Sequence, residues 1–114
     1  TGDVIAYSTS DKRLKKNIIK IDNALSKISQ LNGVTFEWKD KEEHPEKYHN
    51  IREAGIIAQD VVKVLPEAVK TREHNGYMGV KYEQLIPLLI EGIKEQQEQI
   101  DELKAEVKKL KGDN

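Results

Sequence analysis

Ser10 is followed five residues later by Lys15, within Ser10-Asp11-Lys12-Arg13-Leu14-Lys15. A serine hydroxyl becomes a nucleophile when a base takes its proton, and a neutral amine can be that base. The pair is therefore a minimal apparatus for cutting a peptide bond. Ser10 adjoins the carbonyl of Thr9, so the bond in reach is Thr9–Ser10 itself. Attack there yields an ester by an N-to-O acyl shift, which water then resolves, once per chain and in cis. A free lysine, with a pKa of ~10.4, is almost wholly protonated at neutral pH. A lysine base needs burial and nearby cations to bring that value toward ~7–8. Lys12, Arg13 and Lys16 supply like charge and Asp11 opposes it, while burial must come from folding or from neighbouring chains. The same residues also suit an ordinary surface turn, with Ser10 as N-cap of a helical turn over 11–16 and solvated lysines after it.

Other candidates for chemistry are weaker. His44, His49 and His74 lack metal-ligand spacing, and Asp40, Glu42, Glu43 and Glu46 read as a solvated charge run. Gly55 and Gly79 lie in strand-like runs without a phosphate-binding pattern. No metal or cofactor is implied. With no cysteine there is no disulfide framework or thiolate site. A net charge of −1, from 19 basic and 20 acidic residues, argues against a nucleic-acid binder. No apolar run is long enough to span a membrane.

The elements that must position the pair fit one small domain of 114 residues, 37% apolar and 34% charged. Such a chain buries a modest core, and association is the usual remedy. Thr1 in place of methionine reads as a piece of something longer, and residues 1–9 read as an extended lead-in from an upstream segment. Ile18, Ile19 and Ile21 suggest a short extended piece. Asp22 is placed to cap a helix with Ala24, Leu25, Ile28 and Leu31 on its apolar face, stopped by Asn32-Gly33. Val34 to Trp38 alternates as a half-buried strand. Residues 39–52 are polar and predict a projecting loop. A strand over 54–58, a brief helix opened by Gln59 and Asp60 and ended by Pro66, and two strands joined across His74-Asn75-Gly76 follow.

From about Tyr82 to Lys111 the period becomes helical, with Pro87 in the first turn. Taking Ile86 as an a position gives Ile86, Ile93, Ile100 and Val107 at a and Leu89, Gln96, Leu103 and Leu110 at d. Every seam residue but Gln96 is apolar, which predicts a parallel coiled coil about 40 Å long. Glu106 with Lys111, and Gln99 with Lys104, would pair between chains as g and e′ residues. β-Branched residues at a with leucine at d favour two strands, while Gln96 at d and the Leu85, Leu88 and Ile90 cluster beside the seam allow three.

Four blocks occur in order: Ser10 to Ile18, Gly55 to Val61, Leu65-Pro66-Glu67-Ala68-Val69, and Tyr82 to Glu95. Together they resemble the C-terminal intramolecular chaperone domain of phage endosialidases, tail fibres and neck appendages, the S74 peptidase family. The resemblance covers roughly residues 8–96. It implies a homotrimer that helps upstream fibre segments of the same polypeptide fold and then releases itself. It carries the family's serine onto Ser10 and its lysine onto Lys15, with scission between Thr9 and Ser10. It makes Asp11, Arg13, Gln59 and Asp60 site-supporting residues, and the 39–52 loop an arm that embraces the neighbouring stem.

The expected architecture is α+β: a lead-in over 1–9, a small mixed domain over 10–81, and a helix and tail over 82–114 forming a parallel trimeric coiled coil. The expected function is a self-cleaving chaperone of a phage fibre or tailspike. It would act in the host cytoplasm during virion assembly and be absent from the finished particle. Its partners are copies of itself and the upstream fibre, with no nucleic acid or membrane. The rival readings are a non-cleaving trimerisation module that stays on the fibre, and a coiled-coil adaptor for another protein.

Overall fold

The computed structural model describes residues 8–39 and 51–112. Short helices and strands precede one long helix: α1 is Ala24–Ile28, β1 Val34–Phe36, β2 Glu53–Gly55, α2 Ala58–Val64, β3 Val69–Thr71, β4 Met78–Val80 and α3 Ile86–Leu110. One-turn 3-10 helices cover Lys12–Leu14, Pro66–Ala68 and Tyr82–Leu85. The predicted 39–52 loop falls mostly outside the described residues.

The strands form two antiparallel pairs. β1 pairs with β2, Thr35 opposite Ala54, and β3 pairs with β4, Lys70 opposite Gly79. In the first pair Arg52 donates to Thr35 Oγ1 and Glu37, Trp38 Nε1 donates to Glu53 at 2.6 Å, and Trp38 stands edge-on to Phe36. These cross-strand contacts brace the first strand pair. In the second pair the turn is wider than an Asn-Gly dipeptide. Arg72 N–H donates to Tyr77 O, Gly76 N–H donates to Arg72 O, and Asn75 Oδ1 accepts from Tyr77 N–H. Gly76 takes a φ of 75°, the left-handed conformation for which glycine is suited.

The core is small: Ala24, Val61, Val64, Leu65, Ala68 and Leu88, flanked by Ile21, Ile28, Leu31, Ile56, Val69, Val80 and Leu85. Leu88 is fully buried and Gly92 lies against α1, where an added Cβ would run into Ile28 Cδ1. Gly92 therefore allows the close approach of α3 to α1. Gly55 plays the same part for Tyr82, whose hydroxyl accepts from Ile56 N–H at 3.2 Å and would meet a Cβ at Gly55. That contact ties the first strand pair to the base of α3.

Three local expectations need correction. α1 is a helix of five residues capped neither by Asp22 nor by any side chain of its own segment. Asn23 leads into it with a φ of 50°, and Asp22 instead pairs with Lys27. The first N–H groups of α1, on Ala24 and Leu25, donate to the Glu95 carboxylate of α3 at 2.7 and 3.1 Å. Asn32-Gly33 makes no left-handed stop: α1 ends at Ile28, and Gly33 is not among the positive-φ residues. The predicted strand over 54–58 is divided, β2 ending at Gly55 and α2 beginning at Ala58.

The long helix is one unbroken run of 25 residues with Pro87 in its first turn, where its missing N–H is not needed. Leu88, Gly92 and Glu95 share the flank turned to α1. All the seam residues are exposed on the single chain, Ile93 to 65% and Leu110 to 85%.

Candidate active site

The segment from Ser8 to Lys20 lies on the surface and holds its shape through a local cap. Asp11, not Ser10, is the N-cap of the 3-10 turn: its backbone is extended and its carboxylate accepts from Arg13 N–H at 2.9 Å. Leu14 N–H donates to Asp11 O and Lys15 N–H to Lys12 O, closing the turn. The Arg13 guanidinium folds back on the same carboxylate, through Nε at 3.1 Å and Nη2 at 2.9 Å. The chain then leaves the turn extended at Lys15. The turn thus returns the Lys15 side chain to Ser10, and Nζ donates to Ser10 Oγ at 2.6 Å. Both residues are exposed on the single chain.

The electrostatics of the cap follow from these bonds. The Arg13 side chain, and then its backbone N–H, hold the Asp11 carboxyl below the usual carboxylate range. Asp11 in turn holds the Arg13 guanidinium protonated still more firmly. Asp11 is therefore committed to Arg13, and its charge is largely offset there rather than at Lys15.

Beyond the turn the chain stays on the surface. Asn17 adopts a φ of 54°, Leu14 is 76% and Ile19 86% exposed, and Ile18 is likewise open. The extended piece predicted at Ile18 to Ile21 joins no sheet; only Ile21 reaches the core margin. Lys20 then meets Glu91 of α3 at 3.6 Å. Lys20 with Glu91, and α1 with Glu95, are the points at which α3 holds the segment that carries Ser10 and Lys15.

Gln59 and Asp60 lie in the first turn of α2, where Asp60 N–H donates to Ile57 O. Gln59 lines a cleft of about 710 Å³ between the two strand pairs, walled by Phe36, Trp38, Tyr77, Met78 and Tyr82. Among the described residues no hydrogen bond joins Gln59 or Asp60 to Ser10 or Lys15. Glu91 and Glu95 went unread in the sequence, where they pass for solvated carboxylates of a charged helix. Their spacing of four, on the flank with Leu88 and Gly92, was the available signal. Among the described residues no three His, Asp or Glu side chains gather as a metal site, and no helix is long and apolar enough to cross a membrane.

Comparison with known proteins agrees with the order of the sequence blocks. The family described as chaperone of endosialidase, peptidase S74, matches residues 10–70. The long tail fiber protein Gp37 of Enterobacteria phage K3 is 39% identical over 104 residues, which are 89% of this chain and 8% of that protein. Gp37 of Enterobacteria phage M1 is 41% identical over 102 residues, 86% of this chain and 39% of that protein. Gp37 of Salmonella phage S16 is 34% identical over 108 residues, 90% of this chain and 14% of that protein. The chain spans well under half the length of each of these relatives. With the ordered blocks, the local turn at Ser10 and the family match in agreement, the chain belongs to the chaperone-of-endosialidase family.

Proposed function

We propose that this domain assembles as a parallel trimer, aids the folding of an upstream phage fibre segment, and then frees itself by cutting Thr9–Ser10 in cis. The observation that carries the chemistry is the 2.6 Å approach of Lys15 Nζ to Ser10 Oγ beside the Thr9 carbonyl. Neutral Lys15 accepts the Ser10 hydroxyl proton as Oγ bonds to the Thr9 carbonyl carbon. The C–N bond breaks, and the proton passes to the departing Ser10 nitrogen. Water then hydrolyses the Thr9 ester, leaving a Thr9 carboxylate and a Ser10 that begins a new chain with a free amine. One cut per chain completes the reaction.

Exposure in the single chain supplies the control. An amine acts as a base only in its neutral form, and neighbouring chains that exclude water favour that form. Assembly is therefore the step that makes the pair competent. The open seam from Ile86 to Leu110, with Ile100, Leu103 and Val107 lining a shallow apolar face, supports the coiled coil. The likeness to Gp37 proteins supports a long tail fibre as the upstream segment and the virion as the destination of the parent chain.

Intact mass of the purified chain tests the chemistry. A fragment beginning at Ser10 is expected from the native sequence, and Ser10→Ala or Lys15→Ala each leaves the full-length mass. A full-length native chain after long incubation at high concentration contradicts the proposal. It would leave the rival in place: a trimerisation module that remains on its fibre.

A further inference from the structure

One residue of the α3 seam belongs neither to its apolar row nor to the globular contacts. Gln96 holds a d position, with Ile93 and Ile100 at a before and after it and Leu89 and Leu103 at d one heptad away. Among the described residues no hydrogen bond reaches its amide, whereas the neighbouring Gln97 donates to Asp101 at 2.9 Å. Gln96 also stands where α3 parts from its own domain. Glu95 bonds the first N–H groups of α1, and every described residue from Gln96 onward is exposed.

A carboxamide brings two N–H donors and an acceptor oxygen, and leaving them unpaired in an apolar seam is unfavourable. The possible pairings of α3 with a second copy differ in what they set opposite Gln96. In parallel helices in register Gln96 meets Gln96, and each amide donates to the other copy's Oε1. A slip of one heptad sets Leu89 or Leu103 there instead. Antiparallel helices that overlap along all of 86–110 turn about residue 98 and set Ile100 there. Charge points the same way: parallel register brings Glu106 at g to the next copy's Lys111 at e, a pair that the antiparallel arrangement does not make.

We infer that Gln96 fixes the parallel, in-register alignment of α3 between copies of the chain, through amide hydrogen bonds from one Gln96 to the next across the seam. An apolar residue at this position would hold the helices together more tightly; the amide instead penalises every misaligned pairing. Helices in register set the globular parts, and the chain that leads into them, at one level. The inference rests on the parallel self-association proposed above and names the residue that selects it over its alternatives.

Because the chain contains no cysteine, single-cysteine variants of the full chain carrying Ser10→Ala report the alignment. Chains with Leu103→Cys are mixed with chains carrying Ile93→Cys, or with chains carrying Leu110→Cys, in a glutathione redox buffer. The disulfides are identified by peptide mapping. Parallel register links like positions, antiparallel packing links 93 to 103, and a slip of one heptad links 103 to 110. With Gln96 in place, links between like positions are expected to exceed the mixed links at least about tenfold. In the same chains carrying Gln96→Leu this preference is expected to fall about tenfold, while the thermal midpoint of the assembly does not fall. An unchanged preference, or one lost together with a lower midpoint, overturns the role of Gln96 and spares the coiled coil. A chain that sediments as a monomer at every concentration overturns both.

Discussion

An amine and a hydroxyl five residues apart meet at 2.6 Å because the backbone between them is held. Asp11 does the holding, with three bonds from Arg13 and a carbonyl that accepts from Leu14. Since Arg13 depresses the Asp11 carboxyl, the folded value lies below the unfolded one of ~3.9. The stabilisation from the cap is then complete above that ordinary range and is lost as pH falls through the lower folded value. Carboxyl-carbon NMR of uncleaved Ser10→Ala should show Asp11 titrating below ~3.9, and Arg13→Ala should move the midpoint upward. An unmoved midpoint would remove Arg13 from the cap. The Ser10–Lys15 contact was legible in the sequence because it is local and spacing alone bounds it. The cap was misread by one residue, since serine and aspartate both cap well. The structure engages the serine with Lys15 and leaves the cap to Asp11.

Among the elements, α3 organises the domain by reaching back to α1. Glu95 satisfies two N–H groups that a five-residue helix cannot satisfy itself. Glu95→Ala should destabilise the fold by about 1–2 kcal/mol in denaturant unfolding, and Glu95→Gln by less, because its amide oxygen still accepts. Equal losses for the two would mean that charge or packing, not capping, is what Glu95 supplies. Val34 to Phe36, the β3–β4 pair and α3 were readable because a period of two or of seven declares itself within a few residues. The cap of α1 was not, because its acceptor lies 71 residues away. Nor was the division of the 54–58 run. Gly55 is kept clear for the Tyr82 hydroxyl, a contact between distant segments that no local pattern records.

For the whole molecule the accounting is between a small core and a long open seam. Among the described residues six buried apolar side chains centre the fold, while α3 carries a row of exposed Ile, Leu and Val on a charged rod. A charge in that row, Leu103→Asp, is expected to shift the chain from oligomer to monomer in sedimentation and to suppress cleavage with it. The globular part should keep its circular dichroism, because Leu103 lies outside the core. The heptads read from the sequence predicted association but not its order, since β-branched a positions and leucine at d suit two strands and the wide apolar base of α3 suits three. Sedimentation of Ser10→Ala decides between them, and three copies are expected. In the proposed mechanism assembly makes Lys15 a base that lets Ser10 sever the bond behind it. Its most direct test is the fraction of chain beginning at Ser10, followed by intact mass over time across a dilution series. The new Ser10 terminus is expected to appear at a rate that rises with chain concentration and levels off once association is complete. A full-length chain at every concentration, or cleavage at a rate indifferent to dilution, would contradict it.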